Sequence, residues 1–372
     1  MKVAILSDGL DGHINQSIGI AEMLKESVKS SYKVIDVKLK YSLFRGLQYI
    51  YIKNLSKRLT DRHIEIILSF FKKIDLSDYE LIISTGGKLS VFNAAVSKKY
   101  NKKNIHNGSL RGIPSAYFSV SLALKTKNNN SSNIETILPP NRFSPIKHNR
   151  KKNKSLFLIG GNGSGYKYKK EDFFELCQQI IKYTNDSGKI PVIVTSRRTK
   201  KSHELLIKDY LQDYLDDKSV WFHSGLGRIN LLNVFKLVDE IFVTEDSSSM
   251  ISESISSGLN VFTIAPVRVK KNKDHLNMLY RYERMGFIKR LNFNSTFINY
   301  TANPVLSGKR RKIKNLQRML KIQILHKLTK FCSHQIIKHI TMHYKISILI
   351  NTHVNYSIMC FNISNVNCWN CS

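Results

Sequence analysis

The sequence predicts an α/β protein in which two β/α domains face a common cleft. Short apolar runs alternate with helical patterns along most of its 372 residues, as in parallel sheets whose strands are joined by helices. Several of these runs end in Gly, Ser or Arg, and the carboxyl ends of parallel strands are where such sheets bind ligands. The length is that of two ordinary domains.

The first half opens with a predicted strand at 2–7. The run Asp8-Gly9-Leu10-Asp11-Gly12-His13 follows, and its glycines permit a sharp turn with exposed backbone amides. Helical spacing from 14 to 29 and a second strand at 32–38 then complete a β-α-β unit, which requires a parallel pair of strands.

A third strand at 81–85 leads into Gly86 and Gly87 and then into a helix at 89–100. This is a second junction of strand, glycine turn and helix. A further strand is predicted at 113–120, near Pro114.

Residues 43–74 combine apolar and basic side chains. A helix pair that packs on the core and keeps a solvated basic side explains this pattern, and so does a surface that lies on an anionic membrane. The first arrangement is the commoner one. A stretch rich in Asn, Lys and Ser at 125–154 is expected to connect the two domains.

The second half repeats the alternation of strands and helices. The loop after its first strand contains Gly161 and Gly163, but Tyr166 stands where the dinucleotide fingerprint needs a third glycine. No P-loop lysine follows either, so neither an NAD site nor a P-loop is expected. The predicted strands of this half are 156–159, 190–195, 220–222, 241–244 and 261–264.

These patterns place a first Rossmann-like domain at 1–145 and a second at 150–300. An atypical basic tail occupies 301–372. No Asp or Glu occurs after Glu283. A basic tail can grip anionic lipid, but this composition favours a segment that is disordered, or read in a shifted frame, over a part of the fold.

The formal net charge is +32, from 59 Lys and Arg against 27 Asp and Glu. Such a charge attracts nucleic acid, anionic membranes or phosphorylated ligands without choosing among them. Lysines are spread over the whole chain, and no motif of a common nucleic-acid fold accompanies them, so a nucleic-acid partner is not expected.

The five cysteines are scattered, which favours a reducing compartment over a disulfide framework. Cys368 and Cys371 form a CxxC without a second pair, so no zinc or redox site is expected there. The N-terminus enters a strand at once, without the apolar segment of a secretory signal. We expect a cytoplasmic protein, with peripheral contact at the inner membrane left open.

The stretch 241–258 joins a buried strand to a helix through a polar turn that contains Ser247, Ser248 and Ser249. Unpaired backbone N–H groups and hydroxyls at a helix N-terminus suit a phosphate. The carboxylate of Glu253, further along the helix, suits a vicinal diol. Phosphate and diol together indicate a nucleotide, although a serine cap with an ordinary helical acid explains the same residues.

Three stretches resemble GT-B glycosyltransferases and, more closely, the mitochondrial-fission ELM family, whose bacterial members are candidate glycosyltransferases. They are 8–24 with its Gly-His-x-Asn-Gln core, 81–90, and the pair 194–199 and 243–258. The resemblance runs through about residues 1–300. The same stretches are similar to the lipid II-forming GlcNAc transferase of peptidoglycan synthesis, which has glycine where this chain has Asp11.

The resemblance implies a GT-B-like fold with a nucleotide-sugar donor held mainly by the second domain. Glu253 is expected to bind the ribose diol, and Arg197 either adds charge to the diphosphate or is an ordinary solvated arginine. The residues expected around the diphosphate are Ser247, Ser248, Ser249, Gly161 and Gly163, with Gly86 and Gly87 facing the cleft.

The resemblance also implies a glycolipid or cell-envelope acceptor, which approaches past Gly12 and His13. His13 is the candidate base for the acceptor hydroxyl, Asp8 or Asp11 could replace it, and His13 could instead be a hydrogen-bonded brace. The chain has no Asp-x-Asp triad, so no metal cofactor is expected. A non-catalytic scaffold on the same fold, recruiting partners at a membrane, is the alternative function.

Overall fold

The computed structural model describes residues 1–40, 45–125, 131–147, 151–215, 219–227, 229–266, 272–301 and 308–329. Met1–Leu325 form one compact unit. Of the second unit, His326–Ser372, the described part is the helical segment 326–329. The terminal CxxC lies outside the described residues.

The first half of the chain forms a six-stranded sheet with helices between its strands. The strands are β1 (Lys2–Ser7), β2 (Ser31–Asp36), β3 (Leu81–Thr85), β4 (Lys103–Asn107), β5 (Val120–Ala123) and β6 (Asn133–Glu135). The helices are α1 (Asp11–Lys25), α2 (Arg45–Leu55), α3 (Asp61–Ser69) and α4 (Ser90–Lys99). Every neighbouring pair is parallel, and the spatial order is β2-β1-β3-β4-β5-β6. The strand order therefore reverses between β1 and β3.

The second half forms another six-stranded sheet. Its strands are β7 (Lys154–Ile159), β8 (Ile190–Thr195), β9 (Val220–Trp221), β10 (Glu240–Thr244), β11 (Asn260–Ala265) and β12 (Lys289–Asn292). Its helices are α5 (Lys170–Ser187), α6 (Lys201–Leu211), α7 (His223–Leu226), α8 (Leu231–Phe235), α9 (Ser248–Ser256), α10 (Lys273–Arg284), α11 (Ile298–Thr301) and α12 (Lys309–Thr329). The order β12-β11-β10-β7-β8-β9 is again wholly parallel.

This second order is that of a Rossmann sheet, and the strand order reverses between β7 and β10. The sheet is held by buried aromatic side chains at its centre. The Phe242 ring stacks on Phe157 with centroids 4.8 Å apart and on Phe262 with centroids 5.0 Å apart. The predicted α/β class, with a GT-B-like pair of Rossmann-like domains, is confirmed. The domain boundaries stay predictions.

The strand predicted at 113–120 is wrong, because Ser115–Tyr117 form a short 3-10 helix after Pro114. The neighbouring strand β4 is absent from the prediction because its sequence, KNIHN, is mostly polar. Buried side chains of this strand make hydrogen bonds, as burial favours. Asn104 Nδ2 donates to Asn93 Oδ1 over 2.8 Å, and His106 Nδ1 lies 2.8 Å from a serine hydroxyl.

The helix pair expected between 43 and 74 packs against the core. Ile52 of α2 and Ile67 of α3 are fully buried. One side of α2 nevertheless leaves apolar side chains exposed, because Leu47, Ile50 and Tyr51 are 66%, 58% and 49% exposed. Their spacing places them on one face of the helix.

The interpretation of 301–372 as a segment outside the fold is wrong for 309–325. Ile313 of α12 is fully buried in the core of the second half. The buried ammonium of Lys309 donates to the Leu259 carbonyl over 2.6 Å. Lys321 forms an ion pair of 2.7 Å with Glu26, just after α1. The helix therefore contacts both halves. Residues 302–307 and 330–372 lie outside the described part.

We predict that Ile313→Ala lowers the free energy of unfolding by about 2–4 kcal/mol, because it empties a filled core position. Met319→Ala on the same helix is the control, since Met319 is 58% exposed and should change stability by less than about 0.5 kcal/mol. Denaturant unfolding of the full chain measures both. Equal, small effects would show that α12 contributes nothing to the fold.

Candidate functional site

The two points where strand order reverses open onto one cleft of about 350 Å³. Ligand sites in open α/β sheets lie at such points, outside the carboxyl ends of the strands. The lining comes from the segments after β1, β3 and β4 on one side and from those after β7, β8 and β10 on the other. Six residues expected at a site line it, namely His13, Gly86, Gly87, Ser247, Ser248 and Ser249.

His13 lies at the start of α1, which begins at Asp11, three residues earlier than the pattern indicated. Asp8, at the end of β1, holds the ring, with Nδ1 2.9 Å from Oδ2 and 3.1 Å from Oδ1. A carboxylate only accepts, so Nδ1 carries the hydrogen and a neutral ring keeps a lone pair on Nε2. Burial alone would raise the pKa of Asp8, but the hydrogen bond and charge of His13 outweigh it and the pKa is lowered.

The glycines after β3 make room for side chains. Gly86 has a φ of +91°, and a Cβ there would lie 2.3 Å from the His13 ring. A Cβ on Gly87 would lie 2.5 Å from Nε of Arg111. Gly86 is therefore required both by its backbone conformation and by the position of the imidazole.

The cationic group of the cleft is Arg198, which follows β8. Its Nη2 lies 2.7 Å from Oδ2 of Asp246, a carboxylate with no exposed surface. Burial raises the pKa of Asp246, while the charge of Arg198 opposes that shift. Arg197, the arginine expected from sequence, is exposed and absent from the cleft lining. The neighbour replaces it because only Arg198 reaches the buried acid.

The loop after β7 fits around this ion pair. A Cβ on Gly161 would lie 1.9 Å from the Arg198 carbonyl oxygen, and one on Gly163 would lie 2.6 Å from Arg198 Nη1. Neither glycine lines the cleft, although Ser164 of the same loop does. Both glycines thus serve the placement of Arg198, and their expected place near a diphosphate stays a prediction.

The serine turn after β10 caps α9. The helix begins at Ser248, and the hydroxyl of Ser247 accepts from the backbone N–H of Met250 over 3.5 Å. The three serines of this turn line the same cleft as Arg198, and the first backbone N–H groups of a helix have no partner within the helix.

Glu245 precedes this turn and is a buried anchor that the sequence did not single out. Arg290 donates to both of its oxygens, from Nε over 2.7 Å and from Nη2 over 2.9 Å. The hydroxyls of Tyr166 and Thr263 also donate to it, over 2.6 and 2.8 Å. Burial would raise the pKa of Glu245, but the hydrogen bonds from Arg290, Tyr166 and Thr263 and the charge of Arg290 together outweigh burial and lower it.

Glu253 of α9 lies away from the cleft lining and is 4% exposed. Asn15 of α1 donates to its Oε1 over 3.0 Å, so this contact joins the two halves of the chain. Burial raises the pKa of Glu253 to about 7, Asn15 opposes the shift, and the nearby Asp11 adds to it. Asp11 is exposed and does not line the cleft. Binding of ribose by Glu253 stays a prediction.

The Gly-His-x-Asn-Gln core around His13 is explained by these contacts. A Cβ on Gly12 would lie 2.8 Å from Ser249, so α1 and α9 approach closely there. Gln16 lines the cleft and accepts from Asn107 Nδ2 over 2.7 Å. Sequence reasoning missed Gln16 and Asn107. The recurrence of polar residues at one side of α1 was the available signal for Gln16.

Among the described residues, no three or more His, Cys, Asp or Glu side chains are grouped to hold a metal ion. In the same part of the chain, no helix has the length and apolar character needed to cross a bilayer.

The family model described as mitochondrial fission ELM1 matches residues 126–303. The predicted resemblance to that family is confirmed over this range, which includes the loops of Arg198 and the α9 serines. No curated protein matches the chain.

Solved structures with a similar chain path include three sugar-related proteins. The glycotransferase of kitacinnamycin is 10% identical, with 87% of this chain and 95% of that one covered and a TM-score of 0.47. MurG of Acinetobacter baumannii is 10% identical, with 93% and 99% covered and a TM-score of 0.42. UDP-GlcNAc 2-epimerase of Methanocaldococcus jannaschii is 13% identical, with 87% and 99% covered and a TM-score of 0.46.

We predict that Glu253→Gln stabilises the protein at pH 8 by up to about 3 kcal/mol and has little effect near pH 4. A shift from 4.5 to about 7 corresponds to that energy. Because the folded-state pKa is the higher one, the stability linked to Glu253 is present below pH 4.5 and is lost as pH rises through 7. The amide keeps an acceptor for Asn15. Denaturant unfolding at both pH values measures the difference.

Glu245→Gln is the matched control, and the opposite sign is expected. The pKa of the wild-type Glu245 carboxyl is lowered by folding. The stability that it contributes is therefore present above the pKa of the unfolded chain and is lost at acid pH. Breaking its pair with Arg290 should destabilise the protein by about 3–5 kcal/mol at pH 8. If Glu253→Gln does not stabilise the protein at pH 8, the ionised Glu253 carboxylate does not lower the stability of the folded state.

Proposed function

We propose that this protein is a glycosyltransferase that moves a sugar from a nucleotide-sugar to a hydroxyl of a cell-envelope or glycolipid acceptor. The observation that carries the proposal is the pairing of groups across one cleft. A histidine oriented by Asp8 lies on one side, and Arg198, fixed by Asp246, lies on the other with the N-terminus of α9. Glycosyl transfer needs a base and a cation in such an opposed arrangement.

On the donor side, the diphosphate would lie against Arg198 and the first turn of α9. A guanidinium and free backbone N–H groups are both suited to phosphate oxygens. The carboxylate of Asp246 is fully buried, so its charge holds the arginine in place without meeting the ligand. Ribose binding by Glu253 would require its hydrogen bond with Asn15 to open.

On the acceptor side, Nε2 of His13 would take the proton of the attacking hydroxyl. The new bond forms between that oxygen and the anomeric carbon, while the bond from the anomeric carbon to the diphosphate oxygen breaks. The leaving diphosphate keeps the electron pair, and Arg198 offsets its charge. A positioned base of this kind contributes about 10²- to 10⁴-fold to the rate. This transfer uses no metal cofactor.

The exposed face of α2 supports an acceptor carried by a lipid. Leu47, Ile50 and Tyr51 are exposed there, and their neighbour Tyr49 donates to the Gly87 carbonyl at the cleft. An apolar face beside the cleft would place the protein at the surface of an anionic membrane, from the cytoplasmic side.

The second candidate is a non-catalytic scaffold on the same fold that recruits partners at a membrane. The match of residues 126–303 to the mitochondrial fission family favours it. It predicts that the cleft binds no nucleotide, which separates it from the enzyme.

We predict that UDP, GDP or CMP, or one of their sugars, raises the melting temperature of the wild-type chain in buffer containing EDTA, and that added Mg²⁺ changes the shift little. Arg198→Ala should weaken the binding of the active nucleotide about 10- to 100-fold, because a charge-assisted contact of about 1.5–3 kcal/mol is lost. Titration by calorimetry gives the affinities.

Arg197→Ala is the control, because this neighbouring arginine is exposed. The affinity of this variant for the nucleotide should equal that of the wild type. Arg198→Lys is a second variant that should remain folded, since it keeps a positive charge beside Asp246. A flat response of the wild type to every nucleotide would support the scaffold. Binding that needs Mg²⁺ or Mn²⁺ after EDTA treatment would contradict the metal-free mechanism.

We predict that Asp8→Asn lowers turnover about 10²- to 10⁴-fold and leaves donor affinity within about twofold, because the amide no longer fixes the imidazole with its lone pair on Nε2. Release of nucleoside diphosphate from the donor that binds measures turnover. A loss of donor affinity with unchanged turnover would remove His13 from the chemistry.

A further inference from the structure

Ser248 makes a hydrogen bond that distinguishes it from the other serines of the cleft. Its Oγ lies 3.1 Å from Nδ1 of His275, in the first turn of α10. The other ring nitrogen, Nε2, lies 2.5 Å from the backbone carbonyl oxygen of Glu245. His275 is 7% exposed, so the chain of three groups runs from the cleft into the protein.

The direction of both hydrogen bonds follows from the backbone carbonyl of Glu245, which can only accept. A carbonyl oxygen has no hydrogen to give, so Nε2 of His275 carries the hydrogen of the ring. In the neutral ring Nδ1 then has only a lone pair, and the Ser248 hydroxyl must donate to it. Burial lowers the pKa of His275, against the opposing effects of the Glu245 carbonyl and charge, which agrees with a neutral ring.

Ser248 can therefore only accept a hydrogen bond from a ligand. Its single hydroxyl hydrogen is directed at His275, so its oxygen presents only lone pairs to the cleft. A phosphate oxygen also carries only lone pairs and would be repelled there. Ser247 differs, because its oxygen accepts from the Met250 N–H and its own hydrogen stays available for donation. Arg198 likewise only donates.

We propose that Ser248 forms a subsite that accepts a hydrogen bond from a hydroxyl of the donor sugar, while the diphosphate is held by Ser247, Arg198 and the α9 N–H groups. This inference rests on the proposed glycosyl transfer and assigns its donor site in more detail. His275 is a positioning residue, because it acts on the ligand through the direction of the Ser248 hydroxyl.

The test compares each nucleoside diphosphate with its sugar conjugate, using UDP with UDP-glucose and GDP with GDP-mannose, by calorimetry on the full chain. For the pair that binds, Ser248→Ala should leave diphosphate affinity within about twofold and weaken the nucleotide-sugar about tenfold. Arg198→Ala and Ser247→Ala should weaken both members of the pair alike. Equal losses for Ser248→Ala on both probes would overturn the subsite and leave the proposed function standing. No binding of these probes, or of CMP and its sugars, to the wild type would overturn both.

A second measurement needs no ligand and tests the hydrogen-bond direction itself. Long-range ¹H–¹⁵N spectra of the chain labelled at histidine distinguish the two ring tautomers, and the signal missing from His275→Gln assigns His275 among the 12 histidines. Hydrogen on Nε2, with Nδ1 bare, is expected. Hydrogen on Nδ1 would overturn the proposal even if the variants fold and bind, because Ser248 could then donate to the cleft.

Discussion

The ion pair between Arg198 and Asp246 is the interaction on which the arrangement of the cleft depends. It joins the ends of β8 and β10, and the glycine loop after β7 closes around it with no room for a Cβ at Gly161. Asp246 has no exposed surface, so removal of the guanidinium would leave an uncompensated buried charge, which is strongly destabilising. The pair therefore fixes one cation at the reversal point of the sheet, where an incoming anion meets a side chain that is already oriented.

Three acids within one short stretch have different roles because their surroundings differ. Glu245 is held ionised by Arg290, and Asp246 supports Arg198. Glu253 accepts a hydrogen bond from the amide of Asn15, and burial raises its pKa to about 7. A buried acid whose pKa is raised in this way lowers stability at neutral pH, and proteins commonly retain such groups where function requires them. Its position between α1 and α9 links the contact of these two helices to the ionisation of one carboxyl.

The helix α12 shows how composition can mislead. A run without acids and with many lysines resembles disorder, yet the apolar side chains of α12 recur at helical spacing and Ile313 is buried in the core. Lys309 is also buried, and desolvation lowers its pKa to about 7. Net charge determines solubility and attraction to anions and does not determine the fold. The spacing of the apolar residues, and not the charge, indicates that this helix packs on the core.

The sequence by itself determined the two β/α halves, the strands at 81–85 and 190–195, and the glycine and serine turns that face the cleft, because apolar runs and turn residues are local signals. It could not distinguish Arg197 from Arg198, because the two are adjacent in one loop and no local signal separates them. Only the tertiary structure decided that choice, since the buried carboxylate that selects Arg198 comes from another strand. Three further pairs were also visible only in the tertiary structure. They are Asp8 with His13 near Gly86, Glu253 with Asn15, and Ser248 with His275. Each of these pairs depends on a contact between elements, and no periodicity along one segment encodes it.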